Sequence, residues 1–129
     1  MSLEQAIHLR WQNDAPLAAR VPVTRVFTGK AVGSPALPYV VLTRRAVQPV
    51  DYTGSGTRIA RAVMRLDVID DNLDDAKAIG VEVLRLFDRA DFAMTAGTVL
   101  NMQLRDQREE MHDDASWCLS IDFDVTTQE

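Results

Sequence analysis

Apolar and polar positions alternate over the longest stretch between Arg58 and Asp70. Ala60, Ala62, Met64, Leu66 and Val68 make one wholly apolar row, and Ile59, Arg61, Val63, Arg65, Asp67 and Ile69 make the other. A period of two marks a strand, because successive side chains leave a strand on opposite faces. The second row is unusual, since a face that meets only water has no use for three branched aliphatics. Ala115 to Thr126 alternates as cleanly, with Trp117, Leu119, Ile121, Phe123 and Val125 predicted inward and Cys118, Ser120, Asp122, Asp124 and Thr126 outward. Shorter strands are predicted at Thr24–Thr28, ended by Gly29, at Tyr39–Gln48 and at Val99–Asp106. Residues 29–38 and Pro49–Thr57 carry the glycines and prolines of connections, and Gln107–Asp114 reads as a charged turn.

Helical spacing appears twice. Leu3, Ile7 and Trp11, with Ala6 beside them, predict a helix over Leu3–Asn13, with Ser2 as cap and Gln5 completing a capping box. His8 falls off that stripe and is expected at the surface. Asp14 is placed to cap a short turn carrying Pro16. The second helix opens at Asp70-Asp71-Asn72-Leu73-Asp74-Asp75, with Asp71 or Asn72 as cap and the acids suiting the positive helix end. Its packed face is Leu73, Ala76, Gly80, Val83, Leu84 and Phe87, flanked by Ile79 and Leu86, and it ends near Ala90. Glycine inside a helix costs about 1 kcal/mol relative to alanine, so Gly80 on the packed face predicts a close approach by a strand or the other helix.

The predicted order is α-β-β-β-α-β-β. Hairpins followed by a helix and a further hairpin give an α+β fold, a mainly antiparallel sheet with two helices on one face. Strand 58–70 alone would extend about 40 Å, so part of the 39–70 hairpin is expected to project as an arm.

With 129 residues, 47% apolar and 26% charged, the chain suits one domain, residues 1–129, with a single core. No apolar run nears the roughly 20 residues that cross a bilayer, which speaks against a membrane partner. Glu4, Arg10 and Asp14 stand where a signal peptide would need an apolar core, so folding is expected where the chain is made. A single cysteine, Cys118, excludes an internal disulfide framework. The net charge of −5 conceals a gradient: residues 1–66 hold nine Lys/Arg against three Asp/Glu, and residues 67–129 hold five against sixteen. Such a molecule suits head-to-tail contact between copies, while scattered basic residues and a negative total disfavour nucleic acid.

Catalytic patterns are sparse. His112 among Glu109, Glu110, Asp113 and Asp114 has the makings of a divalent-metal site, but a charged hairpin turn explains it more economically. The acids at 70–75 lack the spacing and closing glutamate of a calcium loop. Cys118 has no histidine near it in sequence and reads as a structural thiol. Gly54-Ser55-Gly56-Thr57 precedes neither a lysine nor a helix and fails as a phosphate loop. These readings predict no enzyme, no metal and no cofactor.

The Leu3-Glu4-Gln5-Ala6-Ile7 helix is followed by a loop and Ala36-Leu37-Pro38-Tyr39-Val40-Val41-Leu42. A strand ending Met64-Arg65-Leu66-Asp67-Val68 then runs directly into an amphipathic helix, and Leu119-Ser120-Ile121-Asp122-Phe123-Asp124-Val125 closes the chain. In order and size this resembles the tail-completion proteins of long-tailed bacteriophages, prophages and gene-transfer agents, which act as tail terminators and head–tail joining proteins. One departure is Ile69-Asp70, where the family commonly has an aromatic residue. The resemblance implies a structural virion protein that caps the finished tail tube as a ring, typically a hexamer, and meets the tube protein and the head connector. Its expected places are the bacterial host cytoplasm during assembly and then the virion neck. A head-completion or minor tail protein of similar topology is the nearer alternative, and a small α+β enzyme or ligand-binding domain the remoter one.

A ring needs a contact whose two surfaces differ. Arg44, Arg45, Arg61 and Arg65, with the aliphatics Ile59 and Val63, are the expected wall of that contact. Asp71, Asp74 and Asp75 are the expected partner region on the neighbouring copy.

Overall fold

A computed structural model describes residues 2–33, 35–52, 58–112 and 114–129. The order is α1 (Ser2–Gln12), α2 (Ala15–Arg20), a 3-10 turn at Val23–Arg25, β1 (Val26–Thr28), β2 (Tyr39–Tyr52), β3 (Arg58–Asp70), α3 (Leu73–Phe87), β4 (Ala90–Met94), β5 (Gly97–Met111) and β6 (Trp117–Gln128). The six strands form one sheet in the order β1-β2-β3-β6-β5-β4. Among the described residues only β1 and β2 pair parallel; the other neighbours are antiparallel. This is the expected α+β fold, with α1 and α3 against one side of the sheet.

The apolar rows identified in the sequence meet over that side. Leu3, Ile7 and Trp11 from α1, Met64, Leu66 and Val68 from β3, and Leu119, Ile121, Phe123 and Val125 from β6 are all buried in one core. Phe87 lies at its centre, with its ring centroid 6.4 Å from Trp11, 6.2 Å from Phe92 and 6.5 Å from Phe123. Trp11 is buried without an orphaned donor because its indole N–H donates to the Val21 carbonyl at 2.8 Å. Arg10 ties α1 to α3 through a hydrogen bond to the Leu86 carbonyl at 3.1 Å. Gly80 meets β6 as its position requires: a Cβ there would stand 2.6 Å from Leu119 Cδ2.

Several boundaries differ from expectation. Ser2 is the first residue of α1 rather than its cap. Asp14 does cap the next segment, accepting from the Leu17 N–H at 3.1 Å, and a full helix, α2, follows where only a turn is predicted. Asn72, not Asp71, caps α3, accepting from the Asp75 N–H at 3.1 Å. That helix ends at Phe87 because Arg89 adopts a left-handed φ of 62° and turns the chain into β4. The Arg89 N–H donates to the Met102 carbonyl and the Asp88 carboxylate accepts from the Leu104 N–H at 2.8 Å, which docks the turn on β5.

Of the expected turn Gln107–Asp114, Gln107–Met111 is strand instead. β5 continues to Met111, opposite Trp117, and the reversal lies after it, where Ala115 has a φ of 66°. β4 reaches only Met102 on β5, so the rest of β5 has one bare edge. Its charges suit that edge, since they oppose further strand addition. β2 also runs further than expected, through Pro49 to Tyr52. β1 covers it only over Val40–Leu42, so proline sits on an open edge where a missing N–H is tolerated, beside a register shift. The long hairpin is present, yet β3 is no free arm: β6 pairs with it from Asp70 to Ile59, and Arg58 exchanges backbone hydrogen bonds with Glu129 at 3.0 and 2.9 Å. Residues 53–57, including the Gly54–Thr57 segment that fails as a phosphate loop, lie outside the described residues.

Candidate functional site

The face of the sheet away from the helices collects the second row of β3 and its cross-strand neighbours. Antiparallel register sets Arg61 between Gln48 and Thr126, Val63 beside Asp124, and Arg65 between Thr43 and Asp122. Three zones follow along it. At the Arg58 end lies a trough of about 430 Å³ lined by Gln48, Arg61, Val63, Asn101, Gln103 and Thr126, with Arg105 and Asp124 at its wall. These two form an exposed ion pair at 3.0 Å.

The middle zone is a network around Asp122. Its carboxylate accepts two bonds from Arg65, at 2.8 and 3.2 Å, and Arg45 stands 3.8 Å away. Asp122 is only 8% exposed at the side chain, so the fork-to-fork geometry carries most of its compensation. The Arg65 hydrogen bond, outweighing burial, holds the Asp122 carboxyl below its ordinary pKa and raises that of Arg65. At the Asp70 end, Asp67 accepts from the Ser120 hydroxyl, and Cys118 approaches that hydroxyl at 3.7 Å. Cys118 belongs to the outward row yet is buried, and burial pushes its thiol pKa up.

The expected contact residues are therefore distributed unevenly. Arg45, Ile59, Arg61, Val63 and Arg65 share the outer face. Arg44 does not: alternating with Leu42 and opposite Met64, it faces the helix side and donates two 2.8 Å hydrogen bonds to Glu4 on α1. Asp71, Asp74 and Asp75 are exposed at the start of α3, at the opposite end of β3 from the trough. Beside them Asp70 is buried, and desolvation raises its pKa. The sequence gradient of charge is partly spent within the subunit, where Arg45, Arg58, Arg65 and Arg85 each pair with an acid from the other half of the chain or across the fold.

Three acids, Glu4, Asp70 and Asp122, are buried where the sequence alone predicts no burial. Glu4 precedes Ile7 by three and Trp11 by seven, so it lies on the apolar stripe of α1. Asp122 sits in a row that alternation alone assigns to solvent. The amides of the trough, Gln48 on β2 and Asn101 and Gln103 on β5, carried no pattern, because they come from two strands far apart in sequence. His8 hydrogen-bonds Thr28 at 3.1 Å, and burial, opposed by Glu4, lowers its pKa. Among the described residues no three His, Cys, Asp or Glu side chains are grouped to hold a metal ion. No described helix is long and apolar enough to cross a membrane.

A family model described as tail completion protein gp17 matches residues 5–128. The chain belongs to the tail completion family. It is a structural component of a phage-type tail. Among solved structures it is similar to a chain from the virion of a native gene transfer agent particle, with a TM-score of 0.80 at 21% identity, covering 99% of this chain and 96% of the other. A second solved structure matches with a TM-score of 0.70 at 19% identity over 98% and 94% of the two chains. At such identities these likenesses establish the shared fold. No curated protein matches this tail completion chain.

Proposed function

We propose that this protein closes the end of the tail tube as a ring of identical copies, six by the family resemblance, and presents the surface on which the head connector docks. It acts without catalysis, assembling in the bacterial host cytoplasm and remaining at the virion neck. The observation that carries this reading is the family match over nearly the whole chain, 5–128. Support comes from the outer face of the sheet, where half-buried Ile59 and Val63 flank exposed Arg61. Aliphatics among charges suit a contact that needs both burial and register. Arg45 and Arg65 contribute to that wall, Arg44 braces it from the helix side, and Asp71, Asp74 and Asp75 belong to the opposing surface.

The test is addition of the purified protein to tail tubes polymerised from tube protein, followed by electron microscopy. Ring density at one end and arrested elongation are expected. Tubes that keep growing with bare ends, at protein in excess over ends, would overturn the proposal. Light scattering on the purified chain reports separately whether rings form without the tube.

A further inference from the structure

The outer face holds several arginines, and nearly all are engaged. Arg65 is held by both oxygens of Asp122, Arg45 stands by the same carboxylate, Arg105 pairs with Asp124 and Arg108 with Asp106. Arg61 forms no ion pair with a described residue; the trough beside it is lined by the neutral Gln48, Asn101, Gln103 and Thr126, and its one carboxylate, Asp124, is paired with Arg105 at 3.0 Å. These groups donate and accept hydrogen bonds but leave the guanidinium's charge unanswered. On the acidic side, Asp71, Asp74 and Asp75 are exposed and form no ion pair among the described residues. Asp71 stands just before the Asn72 cap of α3, and Asp74 and Asp75 lie in its first turn.

The two features sit at opposite ends of one strand. From Arg61 to Asp70 is nine residues of β3, or about 30 Å. A rigid, doubly paired strand cannot bring them together within a chain, so any contact between them joins two copies. Each copy then offers one trough and one acidic turn, facing different neighbours, which is the heterologous contact that repeats until it closes.

We propose that the trough around Arg61 seats the acidic first turn of α3 from a second copy of this chain, with Arg61 as the charge that fixes register. This inference rests on the self-assembly reading and narrows it. Arg61 supplies the charge, the amides supply hydrogen bonds to carboxylates, and Val63 supplies a dry floor. Arg65 and Asp122 hold the wall rigid without meeting the partner's acids.

The test uses disulfide trapping of the full chain in a Cys118→Ala background. Cysteines at Gln48, in the trough wall, and Asp71, in the acidic turn, leave Arg61, Asp74 and Asp75 in place. Oxidation at high concentration should give a ladder of linked copies. Adding Arg61→Glu should slow the linkage by at least roughly thirtyfold, the loss expected when one member of an interfacial charge pair is reversed. Further addition of Asp74→Arg and Asp75→Arg should restore it. Linkage no faster than for a control pair at Gln48 and Asp91, or linkage indifferent to Arg61→Glu, overturns the inference. A ladder that stops at two copies leaves the contact standing and removes the ring. Rings visible by microscopy without this linkage keep the ring and remove the contact.

Discussion

Replacing Arg65 with methionine keeps most of the length of the side chain and removes the charge that answers Asp122. Breaking a fully buried pair from one side costs about 3–5 kcal/mol, because the remaining charge is stranded. Here Arg65 keeps 18% exposure and Arg45 stands 3.8 Å from the same carboxylate, so part of the loss is recovered. A cost of about 2 kcal/mol is expected at neutral pH. Asp122→Asn should cost about 1.5 kcal/mol, since guanidinium to amide is a weaker bond. The double variant should cost about 2 kcal/mol rather than the sum, a coupling near ~1.5 kcal/mol. Urea unfolding of dilute protein measures all three, and with a slope of about 2 kcal/mol per molar the Arg65→Met midpoint falls by about 1 M.

The pH dependence has a definite sign. Asp122 has a lowered pKa in the folded chain, so its contribution is present above the ordinary carboxylate value and is lost as pH falls through the folded value. Arg65→Met should remove that acid-side loss and narrow the gap to wild type at low pH. Asp70, whose pKa is raised, acts in the opposite sense in both proteins and cancels in the difference. A cost below about 0.5 kcal/mol at neutral pH, with parallel pH profiles, would refute a stabilising role for the Arg65–Asp122 network.

Other substitutions probe other joints. Gly80→Ala gains about 1 kcal/mol of helix propensity but drives a Cβ to 2.6 Å from Leu119 Cδ2; a net loss of about 1 kcal/mol is expected by thermal or urea unfolding, and more for Gly80→Val. Asn72→Ala removes the α3 cap and should cost about 1 kcal/mol, with amide exchange accelerated at the start of that helix. Gly97→Ala places a Cβ on the Gln128 carbonyl at a φ of 125°, so the β4–β5 reversal should open, with a loss above about 2 kcal/mol. Trp11→Phe leaves the Val21 carbonyl without its donor and should cost about 2 kcal/mol, seen as a lower midpoint with an unchanged slope.

What the sequence disclosed was set by periodicity. β3, β6, α1 and α3 present long regular rows, and the core they form is the one their alternation predicts. β4 was missed because Ala90–Met94 is short, mixed in polarity and follows a helix almost without a break. The far half of β5 was missed because its residues are nearly all charged, as suits a bare edge, and composition alone reads such a segment as a turn. Arg44, expected in the contact wall, follows Val40 and Leu42 by plain alternation onto the helix side, so its facing was legible in the sequence; the shift after it, which leaves Arg45 on the outer face, was not. Of the site, the row of β3 was legible and the trough was not, because burial and hydrogen-bonding partners depend on which strands become neighbours.

That neighbour order has a consequence for truncated chains. β6 follows every other strand in the chain and yet lies in the middle of the sheet, between β3 and β5. Without it, β1-β2-β3 and β5-β4 share no pairing, and Leu119, Ile121 and Phe123 are missing from the core beneath α3. Those twelve residues join the halves, complete the core and bring Asp124 and Thr126 to the trough. In the proposed assembly the trough is thus completed only with the core, so a chain lacking β6 would lack both.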